Sequence, residues 1–352
     1  LPGIELTRIA VVFTALCWAG SAWAIYFGRR GLGLSRWQAV TIGGVIIASG
    51  WVTFLGMEAH LFAFLLTVGV VCYFQRRWFL TGVIAGLLFL TRGEGILFLP
   101  TLVLYYFGET WYRDRRIRVW MDNPLWKSIS GCFLTISIWA IYAWRTFGHI
   151  LPDTLSAKMA QKTAGQWLPT WGQQFALSCC PLLNLWWILV IIGFVYVLLK
   201  KPQWLVFLIW ISLYIMGYTM LDVVGYWWYQ LPILFVLQIM AALGLMVVQE
   251  NIAIFGQQFK YIGYVTSIIL TVFVMFLLAR PRIDAVLHGA VDPRASSYMG
   301  LANWFNENTE PSQSVAYVEI GYLGYYTENR IIDLLGLVTP GITPYIAHGD
   351  FS

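Results

Sequence analysis

Stretches of about 17 to 25 apolar residues recur along most of this chain, each long enough to cross the hydrocarbon core of a bilayer. Water is missing there, so a crossing segment has to satisfy its own backbone hydrogen bonds, and a helix does so. Ten such runs can be marked, at about 8–27, 37–55, 57–74, 78–91, 95–111, 128–147, 174–199, 203–220, 230–248 and 261–279. The charge content points the same way. Only 11% of residues are charged, where a soluble domain has about 25%, and the mean hydropathy is +0.69. Trp51, Trp78, Trp111, Trp144 and Trp204 stand at run ends, where amphipathic rings prefer the headgroup level. The expected fold is an all-α polytopic membrane bundle of about ten transmembrane helices over residues 1–279.

The connections between runs sort by charge. Arg29, Arg30 and Arg36; Arg76 and Arg77; Arg113, Arg115, Arg116, Arg118 and Lys127; Lys200 and Lys201; and Lys260 fall on one side. Arg8, Arg92, Arg145, Lys158 and Lys162 fall on the other and are fewer. The positive-inside rule makes the first side cytoplasmic. Everything after Arg280 is then outside an inner (plasma) membrane crossed many times. Leu1 is not a start methionine and the first run begins within ten residues, so the chain reads as a fragment or a processed form.

Beyond Arg280 the composition turns polar. Residues 296–308 alternate apolar and polar with helical spacing. Val315 to Val318 and Arg330 to Leu334 read as strands, with a glycine-and-aromatic turn or short helix at Gly321 to Tyr326. Residues 280–352 therefore read as a small extracytoplasmic α/β domain, too short to bury a large core alone.

Ionisable residues collect on the outer side: Glu58, Arg92, Glu94, His149, Asp153, Lys158 and Asp222. Arg92 and Glu94 sit between two apolar runs, where a charge at a helix centre costs roughly 2.5 to 3.5 kcal/mol and somewhat less near the interface. Such residues are retained where they line a polar cavity or form an ion pair. Asp153 or Thr154 can cap a short helix carrying Lys158, a point charge able to meet a phosphate. Cys17, Cys72, Cys132, Cys179 and Cys180 lie in or beside apolar runs and read as small hydrophobes. Neither they nor the four histidines show metal-ligand spacing, so no metal site is assigned, although the carboxylates leave a divalent metal open. Dinucleotide, P-loop, zincin and serine-hydrolase motifs are missing from the sequence. A net charge of +5, spread over loops, gives no reason to expect nucleic acid. Two classes fit: an enzyme acting on a lipid-phosphate substrate at the outer leaflet, or a transporter or flippase for a lipid-linked or anionic substrate. Transport sites lie near the midplane. Here the ionisable residues sit at helix ends, which favours the enzyme.

Five stretches together resemble the bacterial GT-C glycosyltransferases that use polyprenyl-phosphate sugars, in the branch of mycobacterial terminal arabinofuranosyltransferase. They are Gly56-Met57-Glu58, Thr91-Arg92-Gly93-Glu94-Gly95, Gly148-His149-Ile150-Leu151-Pro152-Asp153-Thr154 with Lys158, Tyr226 to Pro232, and Gly321 to Pro340. Their order and spacing match over essentially the whole chain. Gly93 stands where the pattern has Pro, Asp153 where it has Asn, Thr339 where it has a final Asp, and the Tyr226 to Gln230 stretch lacks the pattern's Arg. The resemblance implies an inverting hexosyl or pentosyl transfer in cell-envelope biogenesis. The acceptor would be a glycan, lipid or protein, and no cofactor beyond the lipid-linked donor is implied. Arg92 and Lys158 would meet the phosphate. Glu58, Glu94 and Asp222 would orient those cations or bind sugar hydroxyls. The acidic general base is expected in an outer loop that would precede Leu1.

Overall fold

The computed structural model describes residues 6–50, 55–114, 124–150, 153–163, 169–179, 185–221, 224–255, 260–288 and 294–348. The helices in chain order are α1 (Leu6–Gly28), α2 (Arg36–Ala48), α3 (Ala59–Phe74), α4 (Trp78–Thr91), α5 (Phe98–Asp114), α6 (Leu125–Phe147), α7 (Asp153–Thr163), α8 (Trp171–Cys179), α9 (Leu185–Lys200), α10 (Leu205–Leu221), α11 (Leu231–Phe255), α12 (Lys260–Leu287), α13 (Ala295–Asn308), α14 (Tyr322–Tyr326) and α15 (Thr343–His348). Two strands, β1 (Ser314–Tyr317) and β2 (Arg330–Asp333), flank α14. The chain forms two compact units. One holds Leu1–Gly148, Cys179–Gly217 and Trp227–His288; the other holds His149–Ser178, Tyr218–Tyr226 and Gly289–Ser352.

The first unit is a helical bundle. Among the described residues, Leu6–Gly28, Leu125–Phe147, Pro202–Leu221 and Leu231–Ile252 are long and apolar enough to cross a membrane. Ala59–Phe74, Trp78–Thr91, Trp186–Lys200 and Ile268–Pro281 are apolar but shorter. A helix of 16 residues rises about 24 Å, under the roughly 30 Å of hydrocarbon. The described parts of the runs fall on helices, and among the described residues four of those helices are both long and apolar enough to cross; the ten-run count is not reached. The run at 174–199 carries α8, up to Cys179, and α9, from Leu185, and residues 180–184 lie outside the described residues.

The pattern of exposure is the one a bilayer selects. α6 presents Phe133, Leu134, Ile138 and Ile141 outward, and α12 presents Ile268, Ile269, Val272 and Phe273. In contrast, α11 is enclosed, with Phe235, Val236, Ile239, Met240 and Leu243 buried. It packs against α9, α2, α3 and α12. Lipid gives apolar helices no hydrophobic reason to associate, so close backbone approach at small residues matters. A Cβ at Gly193 of α9 would lie 1.8 Å from the Met240 carbonyl oxygen of α11, and one at Gly244 would lie 1.9 Å from that of Leu189. The α4–α6 pair uses the same device, since a Cβ at Gly82 would lie 1.9 Å from the Ser128 carbonyl oxygen. Cys17 and Cys72 are buried and reduced, and Cys132 is half-buried and reduced. The Cys179 side chain and Cys180 fall outside the described residues.

The second unit is built around a parallel strand pair in which Val315 faces Ile331 and Ala316 faces Ile332. The helix expected at 296–308 is α13, and the expected turn or short helix at 321–326 is α14. Asn306 ties the two: its side-chain amide donates to the Tyr326 carbonyl (2.8 Å), and its side-chain oxygen accepts the Glu328 N–H (3.0 Å). α7 packs on α15, and Gln161 donates to the Leu335 carbonyl at 3.0 Å. Thr170 pairs antiparallel with Val224. Trp171, fully buried, stacks on Phe175 at 5.0 Å and tilts against Tyr218 at 5.4 Å.

Asp333 organises the loop that follows β2. It is fully buried, and its carboxylate accepts the N–H groups of Leu335 (2.8 Å), Leu337 (2.6 Å) and Val338 (3.0 Å). The backbone N–H of Asp333 donates to Thr339 Oγ1 at 3.1 Å. Gly336, at φ +73, lets the chain curl around the carboxylate. Hydrogen bonds to a charged group are worth about 1.5–3 kcal/mol each. Asp333→Asn removes the charge and puts an NH2 against either the Leu335 N–H or those of Leu337 and Val338, which should destabilise this unit by about 3 kcal/mol. Faster hydrogen exchange and proteolysis across 330–348 is the expected readout; unchanged protection would show that the loop does not depend on the carboxylate.

Candidate functional site

The first unit brings Glu58, Arg92 and Glu94 into contact. Their positions follow from three breaks in helical geometry. Gly56 has φ +97, a conformation open to glycine, and its N–H donates to Thr14 Oγ1 on α1 at 2.8 Å. That turn sets Glu58 at the N-cap of α3, where the helix dipole favours a carboxylate. Its side chain makes no capping bond. Arg92 ends α4 in extended geometry, φ −151 and ψ 138. A short 3-10 turn, Gly93–Leu97, then folds back toward α4. A Cβ at Gly95 would lie 2.2 Å from the Leu88 carbonyl, so only glycine fits there. Gly93 is different. Nothing lies within 4 Å of its would-be Cβ, so a side chain can begin there in open space.

The side chains form an ion triad. Arg92 Nη1 donates to Glu58 Oε1 at 2.6 Å, and Nε and Nη2 both donate to Glu94 Oε1, at 2.9 and 2.7 Å. The guanidinium is 4% exposed, Glu94 10% and Glu58 42%. One cation and two carboxylates leave the triad at net −1. Burying a guanidinium costs several kcal/mol unless its partners are in place, and two carboxylates meet that need. The guanidinium also lies over the Tyr229 ring, 5.8 Å from its centroid. Tyr214 of α10 donates its hydroxyl to the Tyr229 carbonyl at 2.6 Å, with Glu94 Oε1 at 3.4 Å.

The other residues singled out in the sequence fall elsewhere. His149 is exposed in the second unit, just past Gly148, whose φ of +78 closes α6. Asp153 begins α7. Lys158 is half-buried on α7 beside the fully buried Ala157. Asp222 lies outside the described residues. In the second unit, burial pushes the Tyr226 phenol above its ordinary range. Among the described residues, no group of three or more His, Cys, Asp or Glu side chains is placed to hold a metal ion.

Sequence reasoning passed over Tyr214, Tyr229 and Gln230. Tyr214 sits in an apolar run, where a tyrosine looks like any core aromatic. Tyr229 and Gln230 lie in the aromatic stretch before Pro232, where nothing in the local sequence sets one residue apart from its neighbours. Gln230 is buried and its Nε2 has no hydrogen-bond partner among the described residues.

Residues 290–351 match the model of a domain of unknown function, DUF8728. No curated protein and no solved structure matches the chain. The domain match covers the tail of the second unit and leaves the membrane bundle unassigned.

The triad carries a direct consequence for stability. Arg92→Met strands Glu94 in a nearly dry setting and should lower stability by about 3 kcal/mol or more, seen as a lower melting temperature in detergent. Adding Glu58→Gln and Glu94→Gln to Arg92→Met should recover most of the loss, because no uncompensated charge then remains. A triple variant as unstable as the single one would mean that packing, not charge, holds this corner.

Proposed function

We propose that this chain belongs to a polytopic glycosyltransferase that moves a hexosyl or pentosyl unit from a polyprenyl-phosphate donor to a cell-envelope glycan, lipid or protein. The transfer takes place on the outer face of the inner (plasma) membrane and inverts the anomeric centre. The observation that carries this reading is the Glu58–Arg92–Glu94 triad. It joins two of the stretches that bear the family resemblance, Gly56-Met57-Glu58 and Thr91-Arg92-Gly93-Glu94-Gly95, at helix ends rather than mid-span. A site at helix ends suits a substrate presented at the membrane surface, whereas transport needs a midplane site reachable from both faces.

Three further features support the reading. The loop from His149, the Tyr218–Tyr226 segment and the tail all lie on the side that the charge asymmetry makes external, and all three contribute to the second unit. The four full-length apolar helices and the shorter ones beside them form the membrane bundle, and about ten crossings is the proposed count. Outside the cytoplasm there is no nucleotide-sugar pool, so a lipid has to deliver the activated sugar.

In this reaction the acceptor hydroxyl attacks the anomeric carbon. The C–O bond to the lipid phosphate breaks, and charge builds on the leaving phosphate. A cation fixed near that oxygen stabilises the transition state more than the ground state. Lys158 is the assigned phosphate partner, because the Arg92 guanidinium already holds two carboxylates. The general base is assigned to no described residue.

The test uses the full-length protein in sealed membrane vesicles of both orientations. These are given labelled farnesyl-phosphoryl arabinofuranose, mannose and glucose. Transfer of label to endogenous acceptor is expected from one donor, without nucleotide sugar, and only where the outer face is accessible. Lys158→Ala should reduce that transfer. In intact cells, with the native cysteines removed, an impermeant reagent should label a cysteine placed at position 308 and leave one at position 113 unlabelled. Label that crosses the vesicle with the donor intact would favour the transporter; labelling of 113 but not 308 would reverse the orientation.

A further inference from the structure

We propose that Glu58, rather than Arg92, is the residue of the triad that touches substrate: it accepts a hydrogen bond from a sugar hydroxyl, and Arg92 is the positioning residue that aims it. This inference rests on the glycosyltransferase reading above and assigns the parts within it.

Three observations carry it. First, the guanidinium has little left to offer a phosphate. Its Nε, Nη1 and Nη2 all donate to carboxylates, and the group is 4% exposed. The net charge of the triad is negative, which repels a phosphate and suits neutral hydroxyl donors. Second, Glu58 is the open member. At 42% exposure it faces outward, one oxygen is held by Arg92, and among the described residues its other oxygen, Oε2, has no hydrogen-bond partner. Third, Glu58 has no competing task. It stands at the N-cap of α3 without capping the helix. A carboxylate fixed through one oxygen and open through the other is a preorganised acceptor, and charge-assisted hydrogen bonds to hydroxyls are short and strong. Glu94 differs on each count, since both donors on the inner side of the guanidinium converge on its Oε1 and it is nearly covered.

Arg92 makes the orientation specific. In Glu58→Gln the guanidinium still claims the side-chain oxygen, so the NH2 is turned outward. The open position then changes from acceptor to donor while the fold is kept.

The experiment measures binding by the purified full-length protein in detergent, using farnesyl phosphate and farnesyl-phosphoryl arabinofuranose, mannose and glucose. For the wild type, at least one sugar-bearing compound is expected to bind more tightly than farnesyl phosphate. Glu58→Gln should remove that advantage, about tenfold in Kd or more, with farnesyl phosphate binding unchanged. Arg92→Lys should give a smaller loss of the same kind, and combining it with Glu58→Gln should add little. If the sugar advantage survives Glu58→Gln in a variant that melts like the wild type, Glu58 does not touch the sugar, although the enzyme reading stands. If Arg92→Lys weakens farnesyl phosphate itself while Glu58→Gln does not, Arg92 is the phosphate group and the assignment is reversed. If the wild type binds none of the four compounds, the glycosyltransferase reading itself fails.

Discussion

A guanidinium taken out of water has to bring its counter-charges with it, and the bundle around Arg92 is arranged to supply them. α4 stops at Arg92 because the residue is extended, and that stop frees the side chain to turn inward. The next turn folds back tightly enough that Gly95 has no room for a Cβ. Glu94 is thereby returned to the same guanidinium, and Glu58 arrives from a turn set by Gly56 and anchored on α1 through Thr14. Tyr229 covers one face of the cation, and Tyr214 fixes Tyr229. α3, α4, α10 and the Trp227–Tyr229 turn meet around this one charge, and α1 anchors the turn that delivers Glu58.

The second unit solves a related problem with backbone in place of side chains. Asp333 is fully buried and has its charge met by three N–H groups of its own loop. Both devices rest on the same rule, that a buried charge is acceptable only when nearly every lone pair or proton has a partner. They differ in what they leave open. The carboxylate of Asp333 is enclosed, which suits a purely structural role. The triad leaves one oxygen of Glu58 without a partner among the described residues, and the proposed substrate contact rests on that asymmetry.

Much of the fold was legible in the sequence. Apolar runs mark helices because unsatisfied backbone is so costly in lipid, and the amphipathic stretch at 296–308 and the two short strands fall where α13, β1 and β2 are found. Helix lengths were less legible, because composition reports where apolar sequence lies and says little about where a helix begins and ends. The close backbone contacts at Gly193 and Gly244 were also hidden. A glycine in an apolar run looks the same whether it faces lipid or another helix.

The sequence by itself determined that this is a helical membrane protein with a polar tail, and that Glu58, Arg92 and Glu94 stand at helix ends among apolar neighbours. These are properties of composition and local order, and nothing distant can change them. Only the tertiary structure decided what each charge faces. Arg92 meets Glu58 across 34 residues, and Tyr214 lies beside Glu94 across 120. A guanidinium can hold a phosphate or a carboxylate equally well by its chemistry. Which one it holds depends on the groups that packing brings within about 3 Å, and here packing brings two carboxylates.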